Sequence, residues 1–338
     1  MPIKQRFSTF IKNIKPTEAH LSEARRQTEY MIEQLHDIVA ADKTFKLIKV
    51  LRAGSNAKHT SLLRTEDNVF DVDLGAYYSG AGATKAQLST LLEFTHGKLW
   101  EIYKNVKDKK DFTILKSAVR VKFRTGIELW VDVAPIIKDD SLGIDNAGWI
   151  PRDDDEWRLT SVTAHNAFIS SRNKAAKTRP GPVTINGLVR MMKWRNNRLD
   201  PSLCQPAIFT ESLVAAAVAE IGGVTDQWQT SLRAIFSFAR KHRFEKAIVF
   251  ADYYDPAKIT LPKGTVVVLD AVNAENNVVH LWTTSTREAY LDVIEDAYTS
   301  TLEALSAELD GDEEAAVDAW CQIFGPAFRT LSEEEEAA

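Results

Sequence analysis

Apolar residues recur along this chain at two spacings, and the switches between them mark its elements. Over residues 17–41, Ala24, Met31, Leu35 and Ile38 return at helical intervals among charged residues, which predicts one long helix capped by Thr17 or Ser22. Residues 45–51 read as a strand that runs into Arg52-Ala53-Gly54-Ser55. From Asp71 to Tyr78 the period is two: Val72, Leu74 and Ala76 alternate with Asp71, Asp73 and Gly75, so both carboxylates share one strand face. Residues 85–107 return to the helical spacing through Leu88, Leu91, Leu92, Thr95 and Leu99. Val119, Val121 and Phe123 predict a half-buried strand over 118–123. Residues 128–137 set Leu129, Val131 and Val133 against Trp130, Asp132 and Ala134. The stretch 139–157, with Gly143, Gly148, Pro151 and an acidic run at 153–156, reads as loop.

Helical patterns dominate the second half of the chain, over 161–173, 184–197, 209–221, 227–242 and 288–309. A short apolar run at 247–250, an extended segment at 265–269 and a polar turn at 270–278 interrupt them. This order predicts an α+β fold in two domains, 1–157 and 158–330, followed by an acidic tail at 331–338 that is expected to be disordered.

Charge changes this picture more than composition does. The net charge of −5 conceals a block over 172–198 with eight basic residues and no acidic one, which could meet phosphates. Residues 303–338 carry eleven acidic residues and one basic one, Arg329, and read as a solvated helix and tail. Two distant cysteines, Cys204 and Cys321, exclude a cysteine-rich zinc module and a disulfide framework. The basic start lacks the apolar core of a signal peptide, and no run approaches the roughly 18 apolar residues of a membrane span, so a cytoplasmic protein without membrane association is expected.

Asp71 and Asp73 are the chemical centre of the chain. Two carboxylates on one face repel unless something positive lies between them, and Mg²⁺ is commonly held by two carboxylates together with substrate phosphates. A solvated strand face is the alternative for a bare pair. Gly54-Ser55, at the end of a strand, forms a turn where backbone can approach an anion and a hydroxyl can bind it. Asp132 is an acid in an apolar strand, costly unless paired, metal-bound or bonded to a backbone amide. Three acids on adjacent strands are the pattern required by two metal ions, which activate a hydroxyl and stabilise a leaving pyrophosphate. The chain has no GxxxxGK[ST], no GxGxxG and no GxSxG, and its seven histidines show no HxxxH pair.

Gly54-Ser55, Asp71-Val72-Asp73-Leu74-Gly75 and Val131-Asp132-Val133-Ala134-Pro135 resemble the acidic-site elements of the DNA polymerase β-like nucleotidyltransferases. The long amino-terminal helix, Leu188-Val189-Arg190-Met191-Met192-Lys193-Trp194, Glu211-Ser212-Leu213 and the 270–278 turn narrow the resemblance to the CD-NTases. These are bacterial relatives of cyclic GMP-AMP synthase and 2′-5′ oligoadenylate synthase. The turn departs from the family pattern in carrying Ala271 and Ala274 where relatives often have proline.

The resemblance implies a polymerase β-like core, a mainly helical lobe and an active site in the cleft between them. It implies Mg²⁺- or Mn²⁺-dependent synthesis, with two ions, of a cyclic di- or trinucleotide from ATP, GTP or a pyrimidine nucleoside triphosphate, as a second messenger in antiphage (CBASS) signalling. Asp71 and Asp73 would ligate both ions, Asp132 would complete the catalytic metal site, and Gly54, Ser55 and Lys193 would hold the triphosphate. No nucleic-acid template is implied, and a regulatory protein acting on the acidic carboxy terminus is. Linear oligoadenylate synthesis or nucleotide addition to an RNA end, motivated by the basic block, is the alternative. A nucleotide- or RNA-binding protein with an inactive site is a third reading.

Overall fold

Helix α1 (Ile3–Asn13) opens the chain and places Ile3, Phe7, Phe10 and Ile11 on a buried face. The computed structural model describes residues 1–63, 69–124, 126–152, 156–176, 181–203 and 205–333. They form two units: Pro16–Ala167, and Met1–Lys15 together with Phe168–Ala338. Among the described residues no helix is long and apolar enough to cross a membrane.

In the first unit, α2 (Glu18–Val39) is capped by Thr17, whose hydroxyl accepts from the His20 amide. Strand β1 (Lys46–Ala53), the single turn α3 (Gly54–Ala57) and strand β2 (Phe70–Ser79) come next. Helix α4 (Leu88–Tyr103) then leads to β3 (Phe112–Ile114), β4 (Val119–Phe123) and β5 (Leu129–Lys138). The strands form one mixed sheet in the order β1-β2-β5-β4-β3. Among the described strands only β2 and β5 run parallel.

Alternation decides which side of this sheet is core. Val72, Leu74, Ala76 and Tyr78 of β2, Val119 and Val121 of β4, and Val131 and Val133 of β5 pack with Met31 and Leu35 of α2 and Leu91 and Leu99 of α4. Burial of these side chains at about 25 cal/mol per Å² makes a slipped register expensive, because a shift by one residue would turn Asp71, Asp73 and Asp132 into the core.

The stretch 139–157 is not all loop. Strands β6 (Ala147–Pro151) and β7 (Trp157–Ser161) make an antiparallel hairpin, and β6 pairs with β5 through Ile137↔Trp149 and Lys138↔Gly148. Gly148 and Pro151 read locally as turn residues, and the pairing that makes strands of them is long-range. The hairpin carries the sheet unit past the expected boundary at 157. The acidic positions 153–155 lie outside the described residues.

The second unit is built from α5 (Val162–Ala175), within which the division falls, α6 (Ile185–Asn196), α7 (Ala207–Glu220), α8 (Trp228–His242), α9 (Thr284–Asp310), α10 (Glu313–Phe324) and α11 (Ala327–Leu331). The extended segment expected at 265–269 makes only isolated bridges among the described residues, Ile248↔Val268 and Leu269↔Asn277. Asn277 replaces a strand partner there: its Oδ1 accepts from the Val268 amide at 3.1 Å and its Nδ2 donates to the Val266 carbonyl at 2.7 Å. The adjoining polar turn is buried, with Asn276 donating to Asp270 at 3.0 Å.

Two expectations from charge change here. Part of the basic block is interior: Arg190, Lys193 and Arg195 are buried and Arg172 pairs with Asp252 at 2.6 Å, whereas Lys174 and Arg198 are exposed and Lys177 and Arg179 lie outside the described residues. Helix α6 is buried on every side, so its cations cannot form a continuous phosphate-binding surface. Nor is the acidic segment simply solvated. Glu313, Glu314 and Asp318 lie on the exposed face of α10, Glu308 of α9 accepts from the Trp320 indole at 3.1 Å, and Val317, Trp320, Phe324 and Phe328 are buried. Residues 334–338 of the expected tail are outside those described.

That apolar face explains why Met1–Lys15 belongs to the helical unit and not to the sheet unit. Phe7 meets Trp320 edge-to-face at 4.8 Å between ring centroids and Phe328 at 5.1 Å, and Phe10 meets Trp194 at 5.7 Å. Arg6 closes the arrangement by donating to Glu333 at 2.8 Å and Ser332 at 3.2 Å. Phe7→Ala leaves a cavity among three aromatic rings and is expected to cost about 3–5 kcal/mol. Urea unfolding followed by circular dichroism measures it, and a cost under about 1 kcal/mol would show the cluster to be dispensable.

Candidate active site

Period two on β2 and β5 puts the acids on the sheet face opposite the core. The parallel register sets Asp73 directly beside Asp132 and Asp71 beside Trp130. On the far side of β5, Arg120 of β4 is the cross-strand partner of Asp132. One face therefore carries Asp73, Asp132 and Arg120 in a row across three strands, with Asp71 and Trp130 one step along.

Asp132 is buried and its charge is met by that arginine. Arg120 Nε donates to Oδ1 at 2.8 Å and Nη2 to Oδ2 at 2.7 Å, a two-pronged charge-assisted pair. The Arg120 guanidinium lies over the Trp130 indole, with Cζ 4.3 Å from the ring centroid. Its pKa is raised above the ordinary arginine value, chiefly by the hydrogen bonds to Asp132, with the charges of Asp71 and Asp73 adding to the effect. Sequence alone leaves a side chain, an ion or a backbone amide open as partner for Asp132. In the structure a side chain, that of Arg120, meets it. Its alternation with Val119 and Val121 puts Arg120 on the acidic face, but only the β4–β5 register sets it opposite Asp132.

Gly54 brings the turn against the same acids. It begins α3 with a left-handed φ of +64°, and β1 pairs with β2 so that Ala53 lies opposite Asp73. A Cβ at position 54 would overlap Asp73 Oδ2, Cγ and Cβ, so the carboxylate of Asp73 rests against the bare Cα of Gly54. Ser55 comes next in α3, and its carbonyl accepts from the Thr60 amide at 2.8 Å, which closes the turn. Asn166 steadies the strand end before the turn by donating to the Arg52 carbonyl at 3.0 Å. Residues 64–68, between the turn and β2, lie outside those described.

The donor set suits a hard divalent cation, being all carboxylate oxygen on one face. As held here, Asp132 is turned onto Arg120. Among the described residues no group of three or more His, Cys, Asp or Glu side chains is gathered around one point that could hold a metal. Lys193 stands in the helical unit, buried, with Nζ 3.2 Å from Glu211 Oε1. That ion pair ties α6 to α7, and a triphosphate oxygen would have to share the ammonium with Glu211.

The family described as Second Messenger Oligonucleotide or Dinucleotide Synthetase domain matches residues 1–173, just over half of the chain. The chain is 28% identical over 307 residues to the CBASS oligonucleotide cyclase CdnC of Escherichia coli strain KTE188, covering 90% of each. It is 27% identical to the cyclic AMP-AMP-AMP synthase of E. coli strain MS 115-1, covering 90% of this chain and 91% of that protein. The solved structure of E. coli MS115-1 CdnC in complex with HORMA-deltaN superposes with a TM-score of 0.79 at 24% identity, over 96% of this chain and 98% of that one. The same cyclase has been solved with ATP. The α+β architecture and the resemblance to CD-NTases are thereby borne out, and the chain belongs to the Second Messenger Oligonucleotide or Dinucleotide Synthetase family.

Proposed function

We propose that this protein is a nucleotidyltransferase that joins nucleoside triphosphates into a cyclic oligonucleotide, the signal of an antiphage (CBASS) system. The observation that carries the reading is the register of β2 on β5, which sets Asp73 beside Asp132 on the face that also bears Asp71. Family membership and the names of the relatives, oligonucleotide cyclases over most of their length, support it. Divalent ions held by Asp71 and Asp73, and by Asp132 once it is available, would neutralise triphosphate charge and lower the pKa of the attacking hydroxyl. The chain's own part is placement. The bare Cα of Gly54 holds the Asp73 carboxylate in position, Ser55 offers a hydroxyl to phosphate, and the sheet fixes the acids relative to one another. A HORMA-type protein is the class of partner to test, since CdnC has been solved with one.

The test is a product assay. Purified protein, with and without its HORMA-type partner, is incubated with radiolabelled ATP, GTP, CTP and UTP and Mg²⁺ or Mn²⁺, then treated with phosphatase. A cyclic product has no terminal phosphate and is expected to survive. If phosphatase trims every labelled product, the enzyme makes linear chains and the cyclic reading is wrong. Burial of Arg190, Lys193 and Arg195 takes three of the eight cations that motivated RNA-end addition off the surface, which weighs against that reading.

A further inference from the structure

Three acids on one sheet face are a problem the fold has to solve before any ion or nucleotide arrives. Like charges on neighbouring strands are destabilising, and Asp132 is also desolvated, with 8% of its surface exposed. Arg120 solves it locally. Its guanidinium occupies both oxygens of Asp132, and Asp73 stands beside Asp132 on the same face. Arg120 therefore acts as a resident counter-ion on this face.

The arginine is held firmly in that role. It stands directly across from Asp132 in the β4–β5 ladder, so the two backbones are a fixed distance apart. Trp130, two residues before Asp132 and hence on the same face, lies beneath the guanidinium at 4.3 Å. The side chain of Arg120 keeps 23% of its surface exposed against 11% for Asp132, so the guanidinium has solvent to swing into while the carboxylate does not. An ion that ligates Asp132 must approach a carboxylate whose charge the arginine already neutralises, against the positive charge of the guanidinium.

We propose that Arg120 is a positioning residue that holds Asp132 in reserve: it stands in for a cation on the acidic face, and Asp132 joins a divalent ion only when the two-pronged pair opens. This rests on the assignment of Asp71, Asp73 and Asp132 as metal ligands. Its consequence is an order of events. The Asp71/Asp73 pair takes an ion first, and the second, Asp132-dependent ion enters after displacement of the guanidinium. Triphosphate oxygens are suited to drive that displacement, because they offer an arginine fork the same geometry as a carboxylate.

Binding of Mn²⁺ to the nucleotide-free full-length protein, followed by the electron paramagnetic resonance of the free ion, reads this without turnover. The variants are Arg120→Gln, Arg120→Lys, Asp132→Asn, Asp73→Asn and the double variant Arg120→Gln/Asp132→Asn. Arg120→Gln is expected to bind Mn²⁺ roughly tenfold tighter than wild type, the scale of one charge-assisted hydrogen bond. Arg120→Lys keeps the charge but cannot grip both oxygens, so it should recover at least about threefold of that gain, and it covers the case in which the glutamine variant fails to fold. The gain should vanish in the double variant. Equal affinity in wild type and both Arg120 variants, a gain with glutamine but none with lysine, or a gain that survives in the double variant would each overturn the proposal. If Asp73→Asn and Asp132→Asn bind Mn²⁺ as wild type does, the metal assignment fails and takes the proposal with it. If Asp73→Asn weakens binding while the Arg120 variants match wild type, the metal assignment stands and only the role of Arg120 falls.

Discussion

Asp73→Asn is expected to reduce cyclic-nucleotide formation by at least about 10³-fold, on the scale of losing a central electrostatic group in an active site. Asp73 lies between Asp132 on β5 and Ala53 on β1, so it is the acid that links the third carboxylate to the Gly54-Ser55 turn. Asparagine keeps its shape and removes one negative charge from a face that carries three. The fold should tolerate this, because relieving repulsion between neighbouring carboxylates costs nothing in packing. Thermal unfolding should therefore move by no more than about 1 kcal/mol while activity disappears. Asp71→Asn should behave alike. Asp132→Asn should differ, since it also weakens the two-pronged pair with Arg120 and leaves a partly desolvated guanidinium short of a partner. Product measured by thin-layer chromatography, alongside a melting curve for each variant, checks all three. Asp73→Asn and Asp71→Asn proteins that both make product at wild-type rates would sink the assignment of the acidic face as the catalytic site.

Gly54→Ala is expected to be nearly as damaging without touching a charge. The left-handed φ of +64° costs an alanine roughly 1–2 kcal/mol. The new methyl group also overlaps Asp73 Oδ2, so the carboxylate or the turn must shift. A displacement of about 1 Å at a catalytic group is enough for a loss near 10²-fold. Gly97 supplies the control. It lies mid-helix in α4 with no atom within 4 Å of an added Cβ, so Gly97→Ala should stabilise the protein by up to about 1 kcal/mol and leave activity unchanged. Equal activity in Gly54→Ala and Gly97→Ala would mean that the contact between Gly54 and Asp73 does not position the acid.

Much of this site is legible in the sequence. A strand's period of two assigns Asp71 and Asp73 to one face, and Asp132 to the face opposite Val131 and Val133, whatever those strands pair with. The helical spacing of Met31, Leu35, Leu91 and Leu99 likewise marks α2 and α4 as covers for a sheet. Helix α1 carries the same signal in Ile3, Phe7, Phe10 and Ile11. Reading the basic start only for a targeting signal passes over that spacing, and with it the helix.

Local patterns determine a residue's face, because backbone geometry fixes where successive side chains point. They do not determine its neighbours, because strand order and register are settled by contacts between segments far apart in the chain. By itself, then, the sequence established strands β1, β2, β4 and β5, the faces of their side chains, and the acids with their turn, but not β3 or the β6–β7 hairpin. Tertiary structure alone decided that Asp73 stands beside Asp132, that Arg120 grips Asp132 from the next strand, and that Asp73 rests on the bare Cα of Gly54. It also decided that the cations of α6 face the interior, where helix packing, and not their charge, settled their place.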